Sequence, residues 1–204
     1  MTEDEARSSI ASVSGSDTVE MIGRFLNFVA QENVRQNLIS ASTLPQIWAR
    51  HAYDSFQLLK HAAGRPGLWI DIGSGGGFPG MIVGIARSEP TLLVEPRRRR
   101  AEFLEQAISA LGIGDRMTVA QKKMEQVKQP AAILSARAVA GIEALFEMAH
   151  HCAGADTRWL LPRGQIATEE VSSLRRRWKF MFHVEHSEVS SGSAIAVFNG
   201  VLRR

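Results

Sequence analysis

Apolar positions recur at helical spacing early in the chain. Met21, Ile22, Phe25, Leu26 and Val29 predict an amphipathic helix over Thr18–Asn33, and Pro45–Ala63 reads as a second. From Leu68 the pattern changes to short apolar runs bounded by turn residues. Strands are predicted at 68–72, Thr91–Glu95, Met117–Ala120, Ala131–Ala136 and Arg158–Leu161. Helices are predicted around Met81–Ala86, from the arginines after Pro96 to Leu111, and over Gly141–His150 and Thr168–Trp178. Two strands near Lys179–Glu185 and Ser193–Asn199 then follow each other with no helix between. Such alternation implies a parallel sheet covered on both faces, with the last pair forming an antiparallel edge. The expected fold is therefore α/β, with a seven-stranded, mostly parallel sheet and an N-terminal helical extension. Residues 1–16, acidic and then Ser-rich, are expected to be a disordered tail. Residues 17–204 are expected to be a single domain, helical over 17–63 and sheet-based over 64–204.

Composition narrows the class. A chain of 204 residues with 45% hydrophobic content can bury a sizeable core, and no apolar run reaches the length of a membrane span. The acidic start, Met1-Thr2-Glu3-Asp4-Glu5, lacks an apolar signal core, and the single Cys152 excludes an internal disulfide, so a cytoplasmic location is expected. His150 and His151 beside Cys152, like His183 and His186, place too few ligands on one side for a metal, and none is expected. Net charge is only +3, yet the basic residues cluster at Arg97–Arg100, Lys122-Lys123, Arg175–Arg177 and Arg203-Arg204. Local basic patches on a near-neutral chain point to polyanion contact at selected faces. For Arg175–Arg177 a solvated helix surface serves equally well. Arg97, Arg98, Arg99 and Arg100 fall in a first helical turn, where the macrodipole disfavours positive charge. Either Glu102 and Glu105 one turn on or a phosphate backbone must meet them.

Candidate chemistry centres on Asp71-Ile72-Gly73-Ser74-Gly75-Gly76-Gly77-Phe78-Pro79-Gly80, an apolar strand that ends in an acid and a glycine-packed turn. Pro79 has the fixed φ of a first helical residue, with the free N–H groups of a helix start behind it. A tight turn without ligand is the plain alternative. Read from Gly75, the loop matches the dinucleotide pattern (Gly75, Gly77, Gly80), with Glu95 placed to hold ribose hydroxyls. Read from Asp71 it becomes acid-x-Gly-x-Gly-x-Gly, which resembles the first motif of Rossmann-like class I S-adenosylmethionine (SAM) methyltransferases. A carboxylate at that strand end favours a cationic ligand and repels a pyrophosphate. His51 and Asp54, three apart on a predicted helix, share a face and serve either as a structural pair or in a substrate pocket.

Four blocks in order, Asn37-Leu38-Ile39, His51-Ala52-Tyr53-Asp54-Ser55, the glycine loop, and Ser135-Ala136-Arg137-Ala138-Val139-Ala140, together resemble the small-subunit ribosomal RNA guanine-N7 methyltransferase G family, also called glucose-inhibited division protein B. The resemblance covers residues from about 20 onward. It implies that SAM, leaving as S-adenosylhomocysteine, is bound through Asp71, Gly73, Gly75, Gly77 and Phe78, through Glu95, and through Met124-Glu125 at the adenine. It implies that Arg137 lies beside the methyl-transfer position, serving both catalysis and cofactor. His51, Asp54, Arg97–Arg100, Lys123 and Arg163 are the candidate substrate and RNA contacts. Arg163 stands where the family usually has lysine, which keeps the charge but not the geometry.

The implied reaction is transfer of the SAM methyl to N7 of a guanosine in 16S ribosomal RNA, in the 530-loop region. N7 carries a free lone pair, so in-line displacement needs no general base, in keeping with the lack of any Ser/His/Asp or paired-carboxylate constellation. Because duplex RNA hides N7 in its narrow major groove, the target should be an exposed base. The expected partner is 16S rRNA or the small ribosomal subunit, with no membrane. Oligomeric state is not legible, a monomer being the default. A SAM methyltransferase of a small molecule and a non-catalytic NAD- or nucleotide-binding module are the alternatives.

Overall fold

The structure, a computed structural model, describes residues 1–62 and 64–204. Seven strands, β1 (Trp69–Ile72), β2 (Thr91–Val94), β3 (Met117–Ala120), β4 (Ala131–Ser135), β5 (Ala153–Arg163), β6 (Trp178–His186) and β7 (Ala194–Arg203), form one sheet in the order β3-β2-β1-β4-β5-β7-β6. β1 to β5 pair in parallel, and β7 enters antiparallel between β5 and β6. The mostly parallel sheet with an antiparallel edge is thus present as the hydrophobic pattern implies.

Among the described residues the α-helices are α1 (Glu3–Gln36), α2 (Asp54–Phe56), α3 (Leu58–Ala62), α4 (Gly80–Ala86), α5 (Arg98–Leu111), α6 (Ile142–Ala149) and α7 (Thr168–Leu174). They cover both faces because the strands are apolar on both. Leu93 of β2 packs with Phe25, Met81 and Leu104 of α1, α4 and α5, while Leu92 and Val94 join Phe146 of α6 on the other side. Phe146 is the hub there, meeting Trp159 and Trp178 edge-on at 5.0 and 5.5 Å.

The N-terminal segment corrects the expected disordered tail over 1–16. α1 starts at Glu3, with Thr2 and Glu5 forming a capping box, and continues past a break at Gly15 (φ 82°). Ala6 and Ile10 are fully buried, and the Glu3 carboxylate accepts hydrogen bonds from the amides of Trp48 (3.0 Å) and Ala49 (2.9 Å). Two tertiary anchors therefore hold a segment whose polar composition alone reads as loop.

The helix expected over Pro45–Ala63 is a series of short pieces. A 3-10 turn (Ala41–Gln46) leads to a π-helical turn (Trp48–Tyr53), then α2 and α3; Ala63 lies outside the described residues. Wide turns of this kind recur at functional sites, and this one carries His51. The helix expected to run to Trp178 stops at Leu174, and Trp178 instead opens β6 with its indole fully buried.

Candidate active site

The glycine loop connects β1 to α4 at the carboxyl edge of the sheet. Pro79 caps α4 rather than opening it, and the Gly80 amide is already taken, donating to Asp71 Oδ2 at 3.2 Å. Asp71 Oδ1 accepts from Ser135 Oγ at 2.6 Å, and Ser135 in turn accepts from Trp69 Nε1 at 2.8 Å. Asp71 is fully buried, and burial pushes its carboxyl up to about 6 against the opposing bond from Ser135. Expected to face a cationic ligand, Asp71 instead braces the loop from behind. Gly77 also looks inward, since a Cβ there would lie 2.6 Å from the Phe25 ring of α1.

In front of the loop lies a cleft of about 380 Å³, lined among others by Gly73, Glu95, Arg97, Arg100, Lys123 and Met124. Glu95 follows β2 and is buried. Its Oε2 accepts from the Gly75 amide (2.9 Å) and its Oε1 from the Arg97 amide (2.8 Å), so it couples the glycine loop to the start of α5. A carboxylate offers about four acceptor positions, which leaves others for a ligand. Gly73 and Gly75 adopt positive φ, at +66° and +55°. Buried Met124 backs the cleft and exposed Glu125 forms its rim. Acid, apolar wall and bare backbone together suit a nucleoside bearing a compact side chain, so the residues present fit SAM.

A second chamber, of about 270 Å³, is lined by Asp54, Arg137, Ala138, Arg163 and Ser193 among others. Ala138 lines both cavities and holds a left-handed φ of 56°, uncommon for a residue with a side chain. Arg137 before it is pinned on three sides. Its Nη2 donates to His51 Nδ1 at 2.9 Å, its Nη1 lies 3.7 Å from Asp54 Oδ2, and its guanidinium sits 5.2 Å from the Phe78 ring centre. Phe78 is buried beneath, tilted against His51 at 5.0 Å. It is a platform for these two residues and does not line the nucleoside cleft.

Arginine can only donate, so the His51 contact fixes a tautomer: Nδ1 accepts, and Nε2–H donates to Thr43 Oγ1 at 2.8 Å. Thr43 passes the direction on by donating to Ser40 O at 2.8 Å. Burial, then the charges of Arg137 and Arg50, hold His51 well below the usual imidazole range, at about 3. It is neutral, with its lone pair engaged. Asp54 is shifted up by burial, an effect opposed by Arg137 and by bonds to its Oδ1 from Gln57 Nε2 (2.9 Å) and Ser187 Oγ (3.2 Å). Arg163 Nη2 donates to Ala140 O at 2.6 Å, tying the far end of the Arg137 loop to β5.

Segments distant in sequence thus deliver Asp54 and Arg137 to one chamber, with His51 behind Arg137, and Gly73, Glu95 and Met124 to the adjoining cleft. Gln57, Ser187 and Thr43, which orient them, carry no motif. Gln57 follows Asp54 at helical spacing, but Ser187 sits beyond β6 and reaches the site only through the fold.

The basic clusters separate. Arg97 and Arg100 face the cleft, whereas Arg98 pairs with Glu102 at 2.7 Å on the open surface. All four also border a groove of about 580 Å³ against Asn33–Asn37 at the end of α1. Arg177 pairs with Glu143 at 3.0 Å and also with Glu147, so that part of its cluster is a paired surface. His151 Nε2 contacts Val127 O at 2.8 Å, and buried Cys152 packs beside it. No helix of the described residues is long and apolar enough to cross a membrane.

A family model described as rRNA small subunit methyltransferase G matches residues 18–195. A protein named ribosomal RNA small subunit methyltransferase G from Sphingopyxis alaskensis is 46% identical over 181 residues, 88% of this chain and 77% of that one. One of the same name from Erythrobacter litoralis is 39% identical over 201 residues, 98% and 97% of the two chains. Among solved structures, a methyltransferase from Geobacter sulfurreducens superposes with a TM-score of 0.60 at 13% identity, covering 88% of this chain and 90% of the other. Magnesium protoporphyrin IX methyltransferase from Synechocystis, solved with bound SAM, gives 0.59 at 14% identity, covering 86% and 90%. These two share the Rossmann-like methyltransferase fold.

Proposed function

Since the chain belongs to the rRNA small subunit methyltransferase G family, we propose that it methylates N7 of a guanosine in 16S ribosomal RNA, in the 530-loop region that the family resemblance implies. What carries the reading is the meeting of a nucleoside cleft and a charged chamber at Ala138, with Arg137 fixed at the junction.

Glu95 would hold the ribose hydroxyls of SAM, Met124 and Glu125 its adenine, and the backbone at Gly73 and Gly75 its amino-acid end. Bound there, SAM would supply an electrophilic sulfonium methyl. The protein's part is alignment and exclusion of water. Arg137 orients the base, while Phe78 and His51 keep the guanidinium from swinging away. The His51 imidazole has its lone pair engaged by Arg137, which suits a reaction in which no proton leaves N7. Arg97 to Arg100, Lys123 and Arg163 would take phosphates, holding an RNA strand whose target base is splayed out.

The deciding experiment maps N7-methylguanine in small-subunit rRNA from cells with and without this protein. A single guanine unmethylated in its absence, and restored by the purified protein with SAM, supports the reading. An unchanged map refutes it.

A further inference from the structure

The second chamber has a polar wall whose order is chemically specific: the guanidinium donor of Arg137 stands beside the carboxylate acceptor of Asp54, Nη1 to Oδ2 at 3.7 Å. Each partner is held from outside the chamber. Arg137 is fixed by His51 and Phe78, and Asp54 Oδ1 is occupied by Gln57 and Ser187. Among the described residues that leaves Oδ2 with no donor at hydrogen-bond distance, on a half-buried carboxylate whose free oxygen opens onto the chamber. Such an acceptor is free to take a donor that enters the chamber, and loses if an acceptor is placed against it and water is displaced.

A purine with N7 at the methyl-transfer position offers its remaining edge in a fixed order. Guanine presents the acceptor O6 next to N7, followed by the donors N1–H and the 2-amino group. Adenine presents an amino donor next to N7, followed by the acceptor N1. A donor nearest the cofactor cleft, then a carboxylate, complements the first order and opposes the second. We infer that Asp54 is the residue that reads the base: Oδ2 accepts from N1–H and the 2-amino group of guanine while Arg137 donates to O6. Adenine in the same pose sets its amino group against the guanidinium and its N1 against the carboxylate, leaving both charges without partners. Rejection then comes from those unpaired groups more than from shape. The inference rests on the guanine-N7 reading above and adds the specificity element that the reading lacks.

The test is a chemical double-mutant cycle. Small subunits are reconstituted with rRNA carrying, at the mapped target, either guanosine or inosine, which keeps N7, O6 and N1–H but lacks the 2-amino group. Single-turnover methylation is measured with wild type, Asp54→Asn and Asp54→Ala. Wild type should prefer guanosine by about 10- to 100-fold, the scale of one hydrogen bond to a charged group. Both variants should be slow on guanosine and should lose most of that preference, with SAM affinity retained as evidence of folding. A wild-type enzyme indifferent to the 2-amino group overturns the inference without any variant. So does a variant that slows both substrates by one common factor, since Asp54 would then only position Arg137. A wild type that leaves guanosine itself unmethylated overturns the underlying reading, and the inference with it.

Discussion

Arg137 owes its position to groups that cannot be exchanged for a simple charge. It donates to His51 with one nitrogen and faces Asp54 with another. Arg137→Ala should lower single-turnover methyl transfer at least ~100-fold, the scale of one important electrostatic contact. Arg137→Lys should restore little, because an ammonium lacks the planar fork. Near-normal transfer by the lysine variant would show that charge alone suffices. His51 and Asp71 make opposite statements about acid stability. The His51 imidazole, depressed to about 3, adds stability above its unfolded value near 6.5, and that contribution is lost as pH falls toward 3. The Asp71 carboxyl, raised to about 6, contributes below its unfolded value near 3.8, and this is lost as pH rises through 6. Relative to wild type, His51→Gln should flatten the loss of stability between pH 7 and 4.5 in urea titrations, and Asp71→Asn should steepen it. Parallel curves for all three proteins would disprove both assignments. Arg137, His51, Asp54 and Glu95 were each singled out from local pattern or motif. Which way they face was not legible: Asp71 stands in the same motif as Gly73, yet one turns into the core and the other into the cleft.

At the scale of elements, a first helical turn made of arginines divides its labour. Arg98 and Arg99 lie outside the nucleoside cleft, whereas Arg97 and Arg100 line it. Reversing Arg98 and Arg99 to glutamate should weaken RNA binding and reduce the slope of log K against log salt by roughly 1 to 2, with SAM affinity barely changed. Arg100→Glu should impair both ligands. Filter binding across salt, beside calorimetry with SAM, separates the two, and an unaltered salt slope would make Arg98 and Arg99 an ordinary solvated face. Gly75→Val should abolish SAM binding in a folded protein, since valine strains at φ +55°. Unchanged calorimetric affinity would remove the loop from the cofactor site. The central strands β1, β2 and β4 were legible because each is a short apolar run, buried on nearly its whole length and bounded by turn residues. The π-helical turn at Trp48–Tyr53 was not, because its hydrogen bonds reach only one residue further than those of an α-helix.

Across the whole molecule, the first helix reaches over the sheet's flank to finish a distant piece of the site. Glu3 caps the turn that carries His51, 48 positions on, and Arg7 stacks 4.8 Å from the Trp48 ring centre. Glu3→Ala should cost about 1 kcal/mol of stability, as lost caps do. Thermal unfolding would show it, and an unchanged midpoint would mean the contact is idle. Periodicity gave no sign of this segment because Ala6 and Ile10 are too few to make a stripe, although Thr2 and Glu5 do spell a capping box. The order of the sheet carries a further consequence, for synthesis. β6 leaves the ribosome before β7, yet it is β7 that docks on β5. β6 therefore has no seat until the later strand arrives, and the two must enter as a hairpin with the second strand leading. Every residue lining the nucleoside cleft has been made by Met148, whereas the chamber also needs Ser193 and Ala194. On the proposed function, a growing chain thus gains the parts that would hold the methyl donor well before those that would admit a base.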